Sequence, residues 1–355
     1  MIKVDQTKKV FLALSGGVDS AVAAALLKEQ GYAVTGCFMK NWSDEANLGG
    51  DCPWEQDQKD AEAVCEKLGI EFRSYNFEKQ YRQKVISYFF SEIKAGRTPN
   101  PDVLCNSEIK FGIFRQRALE DGADLIATGH YARSQKVNGI YKLLKGIDPN
   151  KDQSYFLCEL DQQQLARTLF PIGEYTKAQI REMAIKYELP VAKKKDSQGI
   201  CFIGKINVGK FLRDNINKEP GLIMDIDSKK IVGKHDGVAF YTIGQREGLH
   251  IGGTALPYYV SGKDKVNNIL FVAKGKNNPK LFSDQVVFDD IHYVLPQENW
   301  DLTNLSAAIR YRQSAEKGNL IGKRFRFNDL QRAIAPGQKI VFYNEDILLG
   351  SATII

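Results

Sequence analysis

The sequence predicts an α/β domain with a parallel sheet, followed by a small β-rich central domain and a C-terminal β-barrel. Three observations carry this. Over the first half, short apolar runs alternate with amphipathic stretches of ten or more residues, the pattern of a parallel sheet with crossover helices. After about residue 205 the apolar runs become rich in β-branched and aromatic residues and are punctuated by Gly and Asn. After Pro279 a second set of such runs begins, so the expected domains are 1–205, 206–280 and 281–355.

In order, KVFLALS reads as a short buried strand and 18–30 as a helix ended by Gly31. YAVTGCFMKNW is a second strand; 57–68 is a helix that stops at Gly69, before the strand IEFRSYNF. Helices are expected over 81–95, 109–121 and 176–187, with the strand ADLIATGH between the last two. In the central region GLIMDI, KIVGKH, VAFYTI, PYYVSG and NNILFVAKG read as strands. In the last region VVFDDIHYV, LSAAIRYRQ, KRFRF, KIVFYN and LLGSATII do so. Residues of KRFRF alternate in character, which on a strand gives one basic face and one buried face. Phe325, Phe327, Tyr311 and Phe342 are accordingly expected to fill a barrel core rather than to stack on bases.

Composition bounds the function. With 355 residues, 43% hydrophobic and 26% charged, the chain is long enough for two or three packed cores and unlike a disordered or disulfide-built one. No apolar run approaches the roughly 20 residues that span a bilayer. The start, MIKVDQTKKV, lacks the apolar core of a secretory signal, and six cysteines suit a reducing compartment, so a cytoplasmic protein is expected. The net charge of +6 is mild but concentrated. Residues 193–218 carry seven Lys/Arg against two Asp, and 305–339 carry eight against two acids, as suits contact with phosphates.

The first chemical signal is SGGVDS, Ser15 to Ser20, between an apolar strand and a helix. Gly16 and Gly17 let the backbone turn tightly and approach a ligand. The exposed amides at the helix start attract anionic oxygens. Ser15 and Ser20 add hydroxyls. Asp19 is repulsive to phosphate unless a cation stands between them, so its natural role is to hold Mg²⁺. The loop lacks GK[ST] and is no Walker loop. It resembles the loop of the ATP-pyrophosphatase (PP-loop) enzymes, with their adenine nucleotide α-hydrolase-like fold. That resemblance implies cleavage of ATP between its α- and β-phosphates and adenylation of a substrate oxygen. It leaves the nucleophile that displaces AMP open: ammonia, an amine or sulfur.

The cysteines bear on that choice. Cys105 in TPNPDVLCNSEIKF is expected in a loop before a helix starting near Ser107, where the helix dipole would favour its thiolate. Cys201 follows three lysines and a Gly in KKKDSQGICFIG, a field that lowers a thiol pKa. Cys37, Cys65 and Cys158 stand among apolar neighbours and read as packing; Cys52 in GGDCPW stays undecided. There is no CxxC and no His/Cys cluster, so neither a structural metal nor an iron–sulfur cluster is expected.

NPDVLCN and DSQGICFIG, with SGGVDS, GCFMKNW, ATGHYA and NKDQSYFL, resemble the tRNA-specific 2-thiouridylase (MnmA/TrmU) family. The resemblance runs over nearly the whole chain, through RYRQ and PGQKIVFYN. It implies an ATP-dependent sulfurtransferase that thiolates the wobble uridine of tRNAs for Lys, Glu and Gln. By it, Ala13, Leu14, Ser15, Gly16, Gly17, Val18, Asp19, Ser20, Met39 and Gly129 hold ATP. Cys201 receives sulfur as a persulfide, and Cys105 is the catalytic thiol that pairs with it in a transient disulfide. Asn100, Pro101 and Asp102 face the target base, Asp102 as an acid/base group. Lys151, Asp152, Gln153, His130, Tyr311, Arg312 and Gln338 lie against the tRNA. His130, one of four histidines, would otherwise read as a packing residue. The implied sulfur donor is a cysteine desulfurase or a relay protein. Ala13 and Gln198 depart from the family pattern, where Gly and Thr are common. Direct attack by the persulfide and attack by released hydrosulfide both satisfy the chemistry.

Overall fold

The computed structural model describes residues 8–43, 54–195, 208–253 and 255–355. Cys52, Gln198 and Cys201 lie outside the described residues.

The N-terminal region is a parallel α/β sandwich. Strand β1 (Lys9–Ala13) leads into helix α1 (Val18–Glu29), followed by β2 (Ala33–Lys40), α2 (Trp54–Leu68) and β3 (Glu71–Asn76). Helical segments α3 (Glu78–Tyr81) and α4 (Ser87–Lys94) flank a π-helical turn over Arg82–Ile86. Next come α5 (Pro101–Leu104), a π-helical stretch Cys105–Phe114 and α6 (Arg115–Glu120). Strand β4 (Leu125–Thr128), the hairpin β5 (Ala132–Val137) and β6 (Ile140–Lys145), α7 (Gln162–Ala166), β7 (Thr168–Leu169) and α8 (Lys177–Lys186) complete it. The sheet order is β3-β2-β1-β4-β7, all parallel. Side chains alternate along β1, so Val10 and Leu12 enter the core under α1 and α2 while Phe11 and Ala13 enter the core on the other face. Both faces are covered, as a parallel sheet requires.

The Cys105 segment differs from the loop expected there. Asn100 caps the helix, its side-chain oxygen accepting from the amides of Asp102 and Val103 at 3.1 and 3.3 Å. Pro101 sits at the first helical position, where its missing N–H costs nothing. The prolines therefore start a helix at 101 rather than delay it to about 107, and Cys105 lies in its second turn.

The central region opens with α9 (Val208–Asn215), an element absent from the all-β reading. Its sheet combines β8 (Gly221–Asp225), β9 (Ile231–His235), β10 (Tyr258–Asp264) and β11 (Ile269–Lys274) in the order β10-β11-β8-β9. VAFYTI, expected as a strand, contains a 3₁₀ turn over Val238–Phe240 instead. It follows Gly237 at φ +147° and precedes Gly244 at φ +84°, turns that keep it out of the sheet.

The last region holds β12 (Phe282–Val287), β13 (His292–Tyr293), β14 (Ser306–Ala308), β15 (Glu316–Ile321), β16 (Arg324–Arg332), β17 (Lys339–Asn344) and β18 (Ile347–Thr353). LSAAIRYRQ is strand only over β14; it then turns, with Arg312 left-handed at φ +63°. On β16 Phe325 and Phe327 point inward while Arg324 and Arg326 face solvent. Phe325 and Phe342 join Phe288 in the barrel core, so these aromatics pack as expected, and only half-buried Tyr311 stays apart. One relationship was not legible in the sequence: β6 pairs with β18, placing the β5–β6 hairpin of the N-terminal region in the C-terminal sheet. Among the described residues no helix is long and apolar enough to cross a membrane.

Candidate active site

The site is built at the carboxyl ends of β1, β2 and β4, where open parallel sheets bind ligands. Gly16 has φ +71°, and a Cβ there would stand 2.2 Å from the Asp57 carbonyl oxygen, so the loop packs onto α2 only as glycine. Ser20 braces the loop: its Oγ accepts from the Ser15 amide at 3.2 Å and donates to the Gly17 carbonyl at 3.2 Å. Gly17 is the N-cap of α1 and offers no side-chain cap, leaving the first amides of the helix to a ligand. Gly129 follows β4 so closely against the start of α1 that a Cβ would stand 2.8 Å from the Ser20 amide. Ala13, Leu14, Val18 and Met39 are buried. Their side chains pack the sheet, and what they offer a nucleotide is backbone.

Charges surround this loop that the sequence reading did not single out. Asp19 Oδ1 accepts from Tyr131 Oη at 2.8 Å and from Lys177 Nζ at 2.7 Å. Lys177 opens α8, after Thr176 and Gln179 form a capping box. Lys194 Nζ donates to the Gly16 carbonyl at 2.9 Å and to Asp57 at 2.7 Å, and it pairs with Asp60 as well. In sequence Lys194 was one of a run of three; its partners on α2 are more than a hundred positions away. Asn41, just past β2, is 1% exposed, and neither atom of its amide has a hydrogen-bond partner among the described residues.

The residues expected to face tRNA fall into two groups. Gln153 Oε1 accepts from the Tyr131 amide at 3.0 Å, and its own amide donates to the Tyr131 carbonyl. Asp152 accepts from the Gly146 and Ser154 amides and the Ser154 hydroxyl, and burial raises its pKa. Asp152 and Gln153, beside half-buried Lys151, thus brace the segment whose Tyr131 holds Asp19. His130 is interior rather than on an open face: it is 7% exposed, bonds Thr128 Oγ1 through Nδ1 at 2.8 Å and packs on Phe111. Burial and Lys110 hold its pKa well below the usual histidine value, so the ring is neutral.

The second group gathers around the Cys105 helix. Cys105 is fully buried, and Asp102 stands three positions before it, on the same helical face. Cys105 thus sits in the second turn of the helix rather than at or before its start, the position on which the expected dipole activation rests. Gln338 Nε2 donates to the Thr98 carbonyl at 2.7 Å, tying the barrel to the segment before Asn100. Tyr311 lies 4.2 Å, ring to ring, from Phe156, and the Arg312 guanidinium stands 5.3 Å from the Tyr311 ring. The Phe156 carbonyl accepts from Asn106 Nδ2, next to Cys105. Cys37, Cys65 and Cys158 are buried, and burial pushes Cys65 up to about 11 and Cys158 to about 12 and raises Cys37 too, as inert packing thiols. The Cys105–Cys201 pair lies partly outside the described residues.

Fold and site define an α/β domain with a phosphate-type glycine loop, extended by two β domains that reach back to it. The matching family models agree: a tRNA methyl transferase HUP domain over residues 8–205, a tRNA methyl transferase PRC-barrel domain over 209–274 and an aminomethyltransferase beta-barrel domain over 283–354. The chain is 48% identical over 361 residues to the tRNA-specific 2-thiouridylase MnmA of Bacillus mycoides (strain KBAB4), covering 100% of this chain and 96% of that one. It is 47% identical over 363 residues to the tRNA-specific 2-thiouridylase MnmA of Alkaliphilus oremlandii (strain OhILAs), covering 100% and 99%. A solved 4-thiouridine synthetase–RNA complex with bound ATP is similar at a TM-score of 0.35 and 16% identity over 56% of this chain and 46% of that chain, too slight a likeness to argue from. The chain belongs to the tRNA-specific 2-thiouridylase family, and with it to the tRNA sulfurtransferases.

Proposed function

We propose that the protein installs 2-thiouridine at the wobble position of tRNAs for Lys, Glu and Gln, using ATP and a cysteine persulfide. The observation that carries this is the uncapped start of α1 behind Gly16 and Gly17, in a chain about half identical to named 2-thiouridylases. The loop amides bind the pyrophosphate of ATP. The uridine C2 oxygen attacks the α-phosphorus, pyrophosphate leaves, and AMP becomes the leaving group on C2.

Magnesium arriving with ATP fits the site. Asp19 already holds a cation, the Lys177 ammonium, on one carboxylate oxygen, as an acid beside phosphates must. Bound there, Mg²⁺ supplies neutralisation of the departing pyrophosphate. Lys177 and the α1 amides supply positive field at the loop, while Lys194 offsets the Asp57 and Asp60 carboxylates on α2.

Sulfur then replaces AMP. In one order the terminal sulfur of a Cys201 persulfide attacks C2 and AMP leaves; Cys105 next attacks the Cys201 Sγ, the S–S bond breaks, and its electron pair stays on the base as the thiocarbonyl. In the other order Cys105 first releases hydrosulfide, which attacks C2. Both leave a Cys105–Cys201 disulfide, and an external thiol reduces it. Asp102, one helical turn from Cys105, supports proton transfer at the base or the thiol. A cysteine desulfurase or relay protein supplies the persulfide.

The test combines the protein with ATP, Mg²⁺, a sulfide or persulfide source and unmodified tRNA, and seeks thiolated RNA by retardation on a mercury-containing gel. A retarded band that needs both ATP and Cys201 is expected. No band with intact protein and RNA overturns the proposal.

A further inference from the structure

All three regions meet at residues 95–98, ahead of the Asn100–Cys105 helix. Lys263 of β10 donates from Nζ to the Gly96 carbonyl at 3.0 Å. From the C-terminal region, the Pro336 carbonyl accepts from the Thr98 amide at 2.7 Å. Between them opens a cleft of about 390 Å³, lined among others by Arg97, Thr98, Ser261, Lys263, Ile243 and Ile334.

Two polar groups of this cleft are unsatisfied. The Lys263 ammonium has three donors, and the Gly96 carbonyl takes one. It is half-buried with no carboxylate acting on it among the described residues, and burial brings its pKa down to about 8. Ser261, the extra residue where β10 slips register against β11, has a buried hydroxyl with no partner among the described residues. Arg97 is committed to Glu92 and does not serve as a substitute partner. A half-buried cation and an idle hydroxyl lining one cleft are costly as they stand, and an anion with hydrogen-bonding oxygens suits both groups.

We propose that this cleft binds a backbone phosphate of the RNA substrate, with the Lys263 ammonium as its counter-charge and the Ser261 hydroxyl as a hydrogen-bond donor. This rests on the proposed tRNA substrate. The cleft favours a polyanion over a lone phosphate because its surroundings continue basic: Arg332 stacks over Tyr259 of β10 at 4.9 Å, and its carbonyl accepts from exposed Arg310. Ile243 and Ile334 provide apolar walls for a sugar edge. A phosphate fixed here, on the segment running into Asn100, sets the register of the strand relative to Asp102 and Cys105.

Two measurements on the full chain test this. Filter binding of unmodified tRNA across 0.05–0.3 M salt compares wild type with Lys263→Met and Lys263→Arg. Loss of one phosphate contact predicts a Kd raised roughly 5- to 20-fold for K263M and a log–log salt slope shallower by about one, with K263R within about threefold of wild type. In the wild-type protein, amine labelling of Lys263 read by mass spectrometry is expected to fall at least fivefold on adding tRNA, and to stay unchanged with millimolar inorganic phosphate or ATP. Unprotected Lys263 under saturating tRNA overturns the proposal even if K263M fails to fold. So does an unchanged salt slope in a folded K263M. Protection by inorganic phosphate but not tRNA makes it a small-anion site and also overturns it. Wild-type protein that binds no tRNA at any salt overturns the substrate reading as well, and so is distinguishable from failure at this cleft alone.

Discussion

The Lys194 ammonium lies 2.9 Å from the carbonyl oxygen of Gly16, a residue 178 positions earlier in the chain. That contact ties the phosphate-type loop to the segment that follows α8. Lys194 also pairs with Asp57 and Asp60 and offsets part of the charge of two carboxylates that would otherwise repel ATP. Lys194→Met is therefore expected to raise the KM for ATP roughly tenfold or more, with little change in the KM for tRNA. Adding Asp57→Asn and Asp60→Asn to that variant should recover much of the loss, since the repulsion goes with the carboxylates. Steady-state kinetics with each substrate varied in turn check this; an unaltered ATP KM in folded Lys194→Met removes Lys194 from the nucleotide site.

In the proposed mechanism Cys105 and Cys201 act after adenylation, so their loss should separate the two half-reactions. Cys105→Ser and Cys201→Ser are expected to lower thiolated tRNA by at least about a hundredfold while ATP–pyrophosphate exchange in the presence of tRNA persists. A mercury gel reads the first quantity and labelled pyrophosphate the second. Normal thiolation by both single variants refutes the sulfur chemistry.

Asn41 carries a buried amide with no partner among the described residues, and such a group typically costs about 1–3 kcal/mol. Asn41→Leu keeps the approximate shape and removes the idle dipole. It should raise the melting temperature by a few degrees and at the same time slow turnover, because Asn41 follows a parallel strand at its carboxyl end, where such sheets bind ligands and its amide would serve the proposed nucleotide site. Thermal melting and thiolation rate measured on the same preparation check both halves. A variant that melts lower than wild type contradicts the account.

His130 makes stability fall in acid. Its pKa is depressed in the folded state, by burial first and Lys110 second, below the ordinary 6.5. The unfolded chain therefore binds the proton that the folded chain refuses, and stability declines as pH drops below about 6.5, by up to about 1.4 kcal/mol per pH unit from this residue. His130→Asn should flatten that decline between pH 6.5 and 5. Denaturant unfolding at several pH values measures it, and an identical slope in the variant excludes His130 as the source.

Much of the architecture is legible because local pattern and tertiary role coincide. Along β1 the apolar run marks a strand buried on both faces, and along β16 the alternation of Arg and Phe marks one face in and one out. Where they diverge, the reading errs. Pro101 looks like a break until Asn100 is recognised as its cap. The run VAFYTI has strand composition, yet glycines on either side turn it out of the sheet. Strands β5 and β6 carry mixed, polar sequence, and their membership in the C-terminal sheet depends on pairing with a strand two hundred residues away.

By itself, the sequence determined the glycine loop, the two unusual thiols and the order of one α/β and two β regions, because each is written in contiguous residues whose chemistry is local. Tertiary structure alone decided which charges attend the loop. It set Lys177 and Tyr131 on Asp19, and Lys194 on Gly16, Asp57 and Asp60. It also put His130 inside and joined all three regions at Gly96–Thr98. Coulomb and hydrogen-bond energies depend on distance in space, and separation along the chain carries almost no record of it.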